Sequence, residues 1–164
     1  MPAELTSAHV AFGVLGLAAA MFGLAWLLDR RPADGAFAIQ ALITGIAVPG
    51  YASGWYEPLG RWAIPASVLA TSAAAFAAVE FTRLHLDRPP PWIVRGIAAL
   101  AAIVMLAAAL PAPRVTIFAG IGFSWACIVY AIVAHVPLLR DPARARAAVV
   151  LLAAWTIIMV GSDV

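Results

Sequence analysis

The sequence predicts an all-α fold, specifically a polytopic membrane helix bundle, on three observations. The 164-residue chain is 65% hydrophobic and 11% charged, with mean hydropathy +0.98; soluble domains average roughly 45–50% apolar and about 25% charged. Apolar stretches near the length needed to cross a bilayer, about 20 residues, recur six times along it. Eight of the ten cations, all arginine, fall in three short stretches, Arg30-Arg31, Arg83 to Arg95 and Arg140 to Arg146, leaving only Arg61 and Arg114 elsewhere.

Hydrocarbon offers no partner to backbone amides, so each apolar stretch must close its own hydrogen bonds as a helix. The expected six transmembrane helices are His9 to Leu28, Gly35 to Tyr51, Trp62 to Leu84, Trp92 to Leu110, Val115 to Val136, and Ala143 to Gly161. Asp34 and Asp141 suit helix starts, Pro142 a first helical position, and Pro89-Pro90-Pro91 cannot continue a helix. Pro49-Gly50 is expected to end or bend the second helix, whereas Pro65 is tolerable in a first turn. The short link Pro111-Ala112-Pro113-Arg114 predicts a tight antiparallel hairpin.

Arginine-rich links stay cytoplasmic. The first, third and fifth links are therefore assigned inside, with the N-terminus outside and, after an even number of helices, the C-terminus outside. Tyr51, Trp55, Tyr56 and Trp62 form an expected outer aromatic belt, with Trp26 and Trp92 at the inner boundary. Residues 1–164 read as a single integral membrane domain. Met1 to His9 contains Glu4 and no cation, so no cleavable signal peptide is expected. Val164 closely follows the sixth segment, which leads to the expectation that any output passes through the helices or a partner.

A net charge of +2 and pI near 9.2 do not indicate nucleic acid, because the arginines flank membrane segments instead of forming one basic face. Cys127 is the only cysteine, which excludes an intramolecular disulfide and a thiolate cluster within one chain. No phosphate-binding glycine loop or His-Glu-x-x-His motif occurs, and the serines and threonines show no base or oxyanion site, so their expected role is bonding back to their own helices. Gly16-x-x-x-Ala20, Ala19-x-x-x-Gly23 and the series Ala66, Ala70, Ala74, Ala78 are small-residue stripes that permit close helix approach.

Glu80 is the foremost ligand or proton-site candidate, since a carboxylate in hydrocarbon must protonate, pair or reach water. Arg83, at i+3, offers it a local ion pair. Gln40 and Thr44 share a face of the second helix, and Ser124, Cys127 and Tyr130 form a polar-edged patch on the fifth; both sets are candidates for a small cleft or for interhelical hydrogen bonding. His85, Asp87, His135 and Asp141 supply nitrogen and oxygen donors near the inner surface and are weak metal candidates. The expectation is therefore no metal and no cofactor. His9 belongs at the opposite surface.

The outside N-terminus, the aromatic second link, the stretch Phe81-Thr-Arg-Leu-His-Leu-Asp-Arg-Pro-Pro-Pro-Trp92 and the stretch Leu138-Leu-Arg-Asp-Pro-Ala-Arg-Ala-Arg146 together resemble the seven-transmembrane sensor regions of bacterial histidine kinases and diguanylate cyclases. The resemblance spans nearly the whole chain but transfers no site residue, and those regions generally carry a seventh helix and an output domain. It implies a noncatalytic sensor or signal-input module in the bacterial inner membrane. Its expected partners are the bilayer, other membrane or cytoplasmic proteins at the inner links, and a second copy in a homo-oligomer. Two alternatives are an accessory subunit of a respiratory, photosynthetic or transport complex, and a small carrier or membrane enzyme using Glu80.

Overall fold

The computed structural model describes residues 2–52, 54–86, 91–108 and 113–140. Those residues are helical throughout apart from short links, and form five α-helices: α1 (Pro2–Asp29), α2 (Pro32–Ala52), α3 (Ala63–Leu86), α4 (Pro91–Ala108) and α5 (Pro113–His135). Short 3-10 segments, Glu57–Trp62 and Val136–Arg140, precede α3 and follow α5. The expected sixth helix, with Asp141, Pro142 and Trp155, lies outside the described residues.

Three stretches are long and apolar enough to cross a membrane: Phe12–Asp29, Glu57–Leu86 and Arg114–Arg140. Arg95–Ala107 on α4 is a shorter apolar stretch. The described residues thus carry three such stretches where the sequence led to an expectation of six.

Helix boundaries differ from expectation in physically simple ways. The first helix begins at Pro2, well before His9, because nothing between Pro2 and His9 breaks a helix. Pro32 starts α2, where its missing N–H costs nothing, so Asp34 lies in the first turn and is not the residue before it. The helix also runs through Pro49-Gly50 to Ala52 and does not end there. Pro65 sits in the first turn of α3, as a proline should.

The packing order follows from a few contacts. Phe22 meets Phe37 with ring centroids 4.4 Å apart, and a Cβ on Gly35 or Gly45 would stand 3.0 Å from Trp26 or 3.3 Å from Leu15. The end of α1 therefore lies beside the start of α2, as in an antiparallel hairpin. Arg30 turns the corner with φ +55° while its N–H donates to the Trp26 carbonyl at 2.8 Å. Phe37 near the start of α2 reaches Phe81 near the end of α3, 5.2 Å between centroids, so α2 and α3 are also antiparallel.

Helices α3 and α5 run parallel. Near their starts, a Cβ on Gly120 would overlap Val68 Cγ1 and lie 3.7 Å from Ser72 Oγ; near their ends Phe81 and His85 stack beside His135. Gly120 is what allows that approach, since only a residue without Cβ fits. The hairpin of α4 and α5 is tied by Thr116 Oγ1, which donates to the Ala107 carbonyl at 2.8 Å.

Two apolar clusters result. Ala75, Val79, Ile97, Phe123 and Cys127 join α3, α4 and α5; Ala78, Phe81, Ile128 and Ala131 join α3 and α5, with Ala33, Ala36 and Phe37 of α2 against them. Helix α3 lies in the middle of the bundle, in contact with α2, α4 and α5. Of the small-residue stripes, Ala74 and Ala78 are buried, whereas Gly16 faces open space and Gly23 makes only ordinary contact with Ala38. Alanine spacing on α3 thus coincides with packing inside the bundle.

Candidate functional site

The helix directions bring Arg30, Arg31, Arg83 and Arg140 to one end of the bundle, with Arg95 on the first turns of α4, and leave Arg61 and Arg114 at the other. Trp26 lies under Arg30, 5.6 Å from guanidinium carbon to ring centroid, and Trp62 beside Arg61 at 5.4 Å. Phe12 on α1 meets Trp55 of the second link edge-on at 5.5 Å. His9 belongs to that second end, away from the other histidines. Tyr56 there donates to the Ile46 carbonyl at 3.4 Å, a long bond, and partial burial pushes its phenol pKa up.

Glu80 is not an isolated charge. Arg83 Nε donates to both carboxylate oxygens at 2.9 and 2.8 Å, and a terminal guanidinium nitrogen donates as well. The two side chains are 36% and 37% exposed and one turn apart, so the carboxylate is ion-paired at the surface of α3 and not buried.

The polar groups that are buried lie elsewhere, on the α2, α3 and α5 faces. Thr44 Oγ1 donates to the Gln40 carbonyl at 2.8 Å, Ser67 Oγ to the Ile64 carbonyl at 2.9 Å, and Thr71 Oγ1 to the Ser67 carbonyl at 2.9 Å, each bonding back along its own helix. Among the described residues, five buried side-chain atoms have no hydrogen-bond partner: Gln40 Oε1, Ser72 Oγ, Thr82 Oγ1, Ser124 Oγ and His135 Nε2. Gln40 and Thr44 therefore share a face as expected, yet only the Gln40 side-chain oxygen is left to receive a donor. Tyr130 is half-buried against the Phe123 and Cys127 cluster, nearly two turns beyond the Ser124 end of its patch. Trp125 is exposed.

His135 is the most constrained of these groups. It is 1% exposed, and its Nδ1 stands 2.7 Å from the Ala131 carbonyl. A carbonyl only accepts, so Nδ1 is the donor in this contact. His85, exposed on the last turns of α3, stacks beside it with centroids 5.8 Å apart and planes 20° from parallel; Phe81 walls both rings, at 5.4 Å from His85 and 6.4 Å from His135. Asp87 and Asp141, the carboxylates expected near this end, lie outside the described residues. Among the described residues no group of three or more His, Cys, Asp or Glu side chains is placed to hold a metal ion.

Comparison with protein families, curated proteins and solved structures returns no match. What the chain does must be argued from its own residues.

The sequence placed His85 and His135 at the same surface and offered Arg83 as the partner of Glu80; the structure brings the two histidines together through α3 and α5 and pairs Glu80 with Arg83. Thr82 and Ser72 were read as hydroxyls bonding to backbone, and Ser124 also as part of a polar-edged patch on the fifth helix. Their side-chain oxygens are instead unpartnered at the helix seam, a property set by which helices meet and carried by no local pattern.

Proposed function

We propose that this chain is a noncatalytic membrane signal-input module, in which a ligand or a change in the membrane shifts the packing of α2, α3 and α5. In this reading the chain spans the membrane six times with both termini outside, α2 and α4 crossing with the three longer apolar stretches, and the arginine-bearing end faces the bacterial cytoplasm. The observation that supports it is the set of five buried polar atoms on α2, α3 and α5 that, among the described residues, have no hydrogen-bond partner.

Leaving one such atom unsatisfied costs about 1–3 kcal/mol. A seam containing several of them is held below its best packing, so a second arrangement, or an occupant that supplies donors and acceptors, lies close in free energy. An input acts by binding one arrangement better than the other. The paired, surface-facing Glu80 gives a carrier or enzyme no comparable starting point. The exposed links around Arg30-Arg31 and Arg140 are the surfaces through which the shift reaches a partner protein.

The test is recovery of the protein from native membranes in mild detergent, with crosslinkers placed at Arg31 and Arg140. Capture of a signalling output protein through those positions is the expected result. Recovery instead of a stoichiometric respiratory, photosynthetic or transport complex would replace this reading with that of an accessory subunit. Thiol labelling of single cysteines at positions 31, 57 and 140 in a Cys127→Ala background checks orientation: 57 reacts from outside, 31 and 140 only after permeabilisation.

A further inference from the structure

We propose that the first turns of α4 carry a binding site for one anionic phospholipid, its headgroup held by Arg95 and one acyl chain lying in an apolar groove along the helix. The inference rests on the membrane-spanning reading and is independent of the signalling role.

An open groove of about 470 Å3 runs along α4, lined among the described residues by apolar side chains that include Trp92, Ile93, Leu100 and Ile103. Gly96 belongs to the same lining, and a Cβ built on it would meet nothing within 4 Å. Trp92, at the arginine-bearing end, is 74% exposed. The stretch of α4 from Trp92 to Ile103 is about 16 Å long at 1.5 Å per residue, and half of a hydrocarbon core of about 30 Å is about 15 Å. The groove therefore has the depth of one leaflet, over which a single acyl chain runs from headgroup to midplane.

Apolar contact does not choose between lipids, because all their tails are as apolar as the groove. The headgroup makes the choice. Arg95 is exposed and stands one turn from both Trp92 and Ala99, which line the groove, so it flanks the groove near the level where an indole ring meets the interface. Among the described residues it forms no ion pair, and neither α4 nor α5 contains a carboxylate to neutralise it. A guanidinium holds a phosphate by two parallel hydrogen bonds, and the long arginine stem lies along apolar surface while the charge reaches the interface. Arg30, Arg31 and Arg140 at the same end add to the positive field. Phosphatidylcholine offers the same phosphate, but its choline cancels the charge. One basic residue near the membrane surface favours an anionic lipid about fivefold.

The experiment is native mass spectrometry of the full chain released from detergent micelles that hold equal amounts of phosphatidylglycerol and phosphatidylcholine with identical acyl chains. The wild-type protein is expected to retain one phosphatidylglycerol, about fivefold over phosphatidylcholine. Arg95→Gln brings that ratio close to one, whereas Arg114→Gln at the other end leaves it unchanged. Gly96→Leu places a side chain in the groove and lowers retention of both lipids; should it fail to fold, Ala99→Leu on the same lining takes its place. Equal retention of the two lipids by the wild type, an undiminished preference in Arg95→Gln, or undiminished retention in the folded groove-filling variant overturns the proposal. None of these results alters the thiol labelling or the crosslinked capture of an output protein, so failure here leaves the signalling reading standing.

Discussion

Replacing Gly120 with alanine tests the closest helix approach in the bundle. The new methyl carbon would overlap Val68 Cγ1 and stand 3.5 Å from Val68 Cβ. Val68 has little room to yield, because a β-branched side chain in a helix keeps one χ1 rotamer. The overlap must therefore be relieved by moving α3 away from α5, and overpacking of this kind costs about 1–3 kcal/mol. Alanine in place of glycine within a helix returns at most about 1 kcal/mol. The net expectation is a loss of about 1–2 kcal/mol, read as a lower midpoint in reversible unfolding by SDS in mixed micelles, followed by circular dichroism. Gly122, two residues along the same helix, has nothing within 4 Å of an added Cβ. Gly122→Ala is therefore the internal control and should be neutral or slightly stabilising. Val68→Ala combined with Gly120→Ala should recover most of the loss, a coupling that a double-mutant cycle measures directly. Equal stability of the Gly120 and Gly122 variants would show that α3 and α5 do not meet at this point, and the description of the seam would fall with it.

Thr116→Val removes the hydroxyl that ties α5 to the Ala107 carbonyl; a loss of about 0.6–1.7 kcal/mol is expected, and no change would mean the α4–α5 hairpin is held by its apolar contacts alone. Arg30→Gly relieves a left-handed backbone that costs an L-residue about 1–2 kcal/mol, offset by the lost Trp26 contact and by glycine's greater freedom when unfolded; a small rise in midpoint is expected, and a clear fall would assign the corner's stability to the Arg30–Trp26 contact. Glu80→Gln breaks a pair more than a third exposed, so stability should change by no more than about 0.5 kcal/mol; a loss of several kcal/mol would mean that the carboxylate is buried. For Tyr56, burial raises the folded pKa above the unfolded value of 10.0, so the folded protein holds the proton more tightly. Its contribution is full below pH 10 and declines as pH rises through the folded pKa; the alkaline fall in stability should be shallower in Tyr56→Phe, and identical pH profiles would exclude the linkage.

Helix existence was legible in the sequence because length and hydropathy are local properties. The five described α-helices cover the first five expected segments, and the arginines of Arg30-Arg31, Arg83 and Arg140 do gather at one end, as the alternation of their links implies. Boundaries moved where proline acted as a starter and not a stop, at Pro32 and Pro91, or failed to stop a helix at Pro49. Packing partners were not legible. In a chain so rich in alanine and glycine, nothing local distinguishes Gly120, which accepts a neighbouring helix, from Gly16, which faces open space. The pairing of His85 with His135 depends on α3 and α5 running parallel in contact across the 49 positions between them, and neither residue's neighbours encode it. Glu80 drew attention because a carboxylate in an apolar run is conspicuous; its one-turn neighbour Arg83 already accounted for it.

The central position of α3 has a consequence for biogenesis. One apolar cluster takes residues from α3, α4 and α5, and the other from α2, α3 and α5, so neither closes before α5 has been synthesised. When α3 first enters the bilayer, its Ser67, Ser72 and Thr82 face, buried in the finished bundle, has at most the α1–α2 hairpin for company. During the roughly 50 residues of synthesis that separate α3 from the end of α5, that face is the part of the nascent chain most in need of a temporary companion, and an insertase or chaperone that shields hydroxyl-bearing helices would find its substrate there.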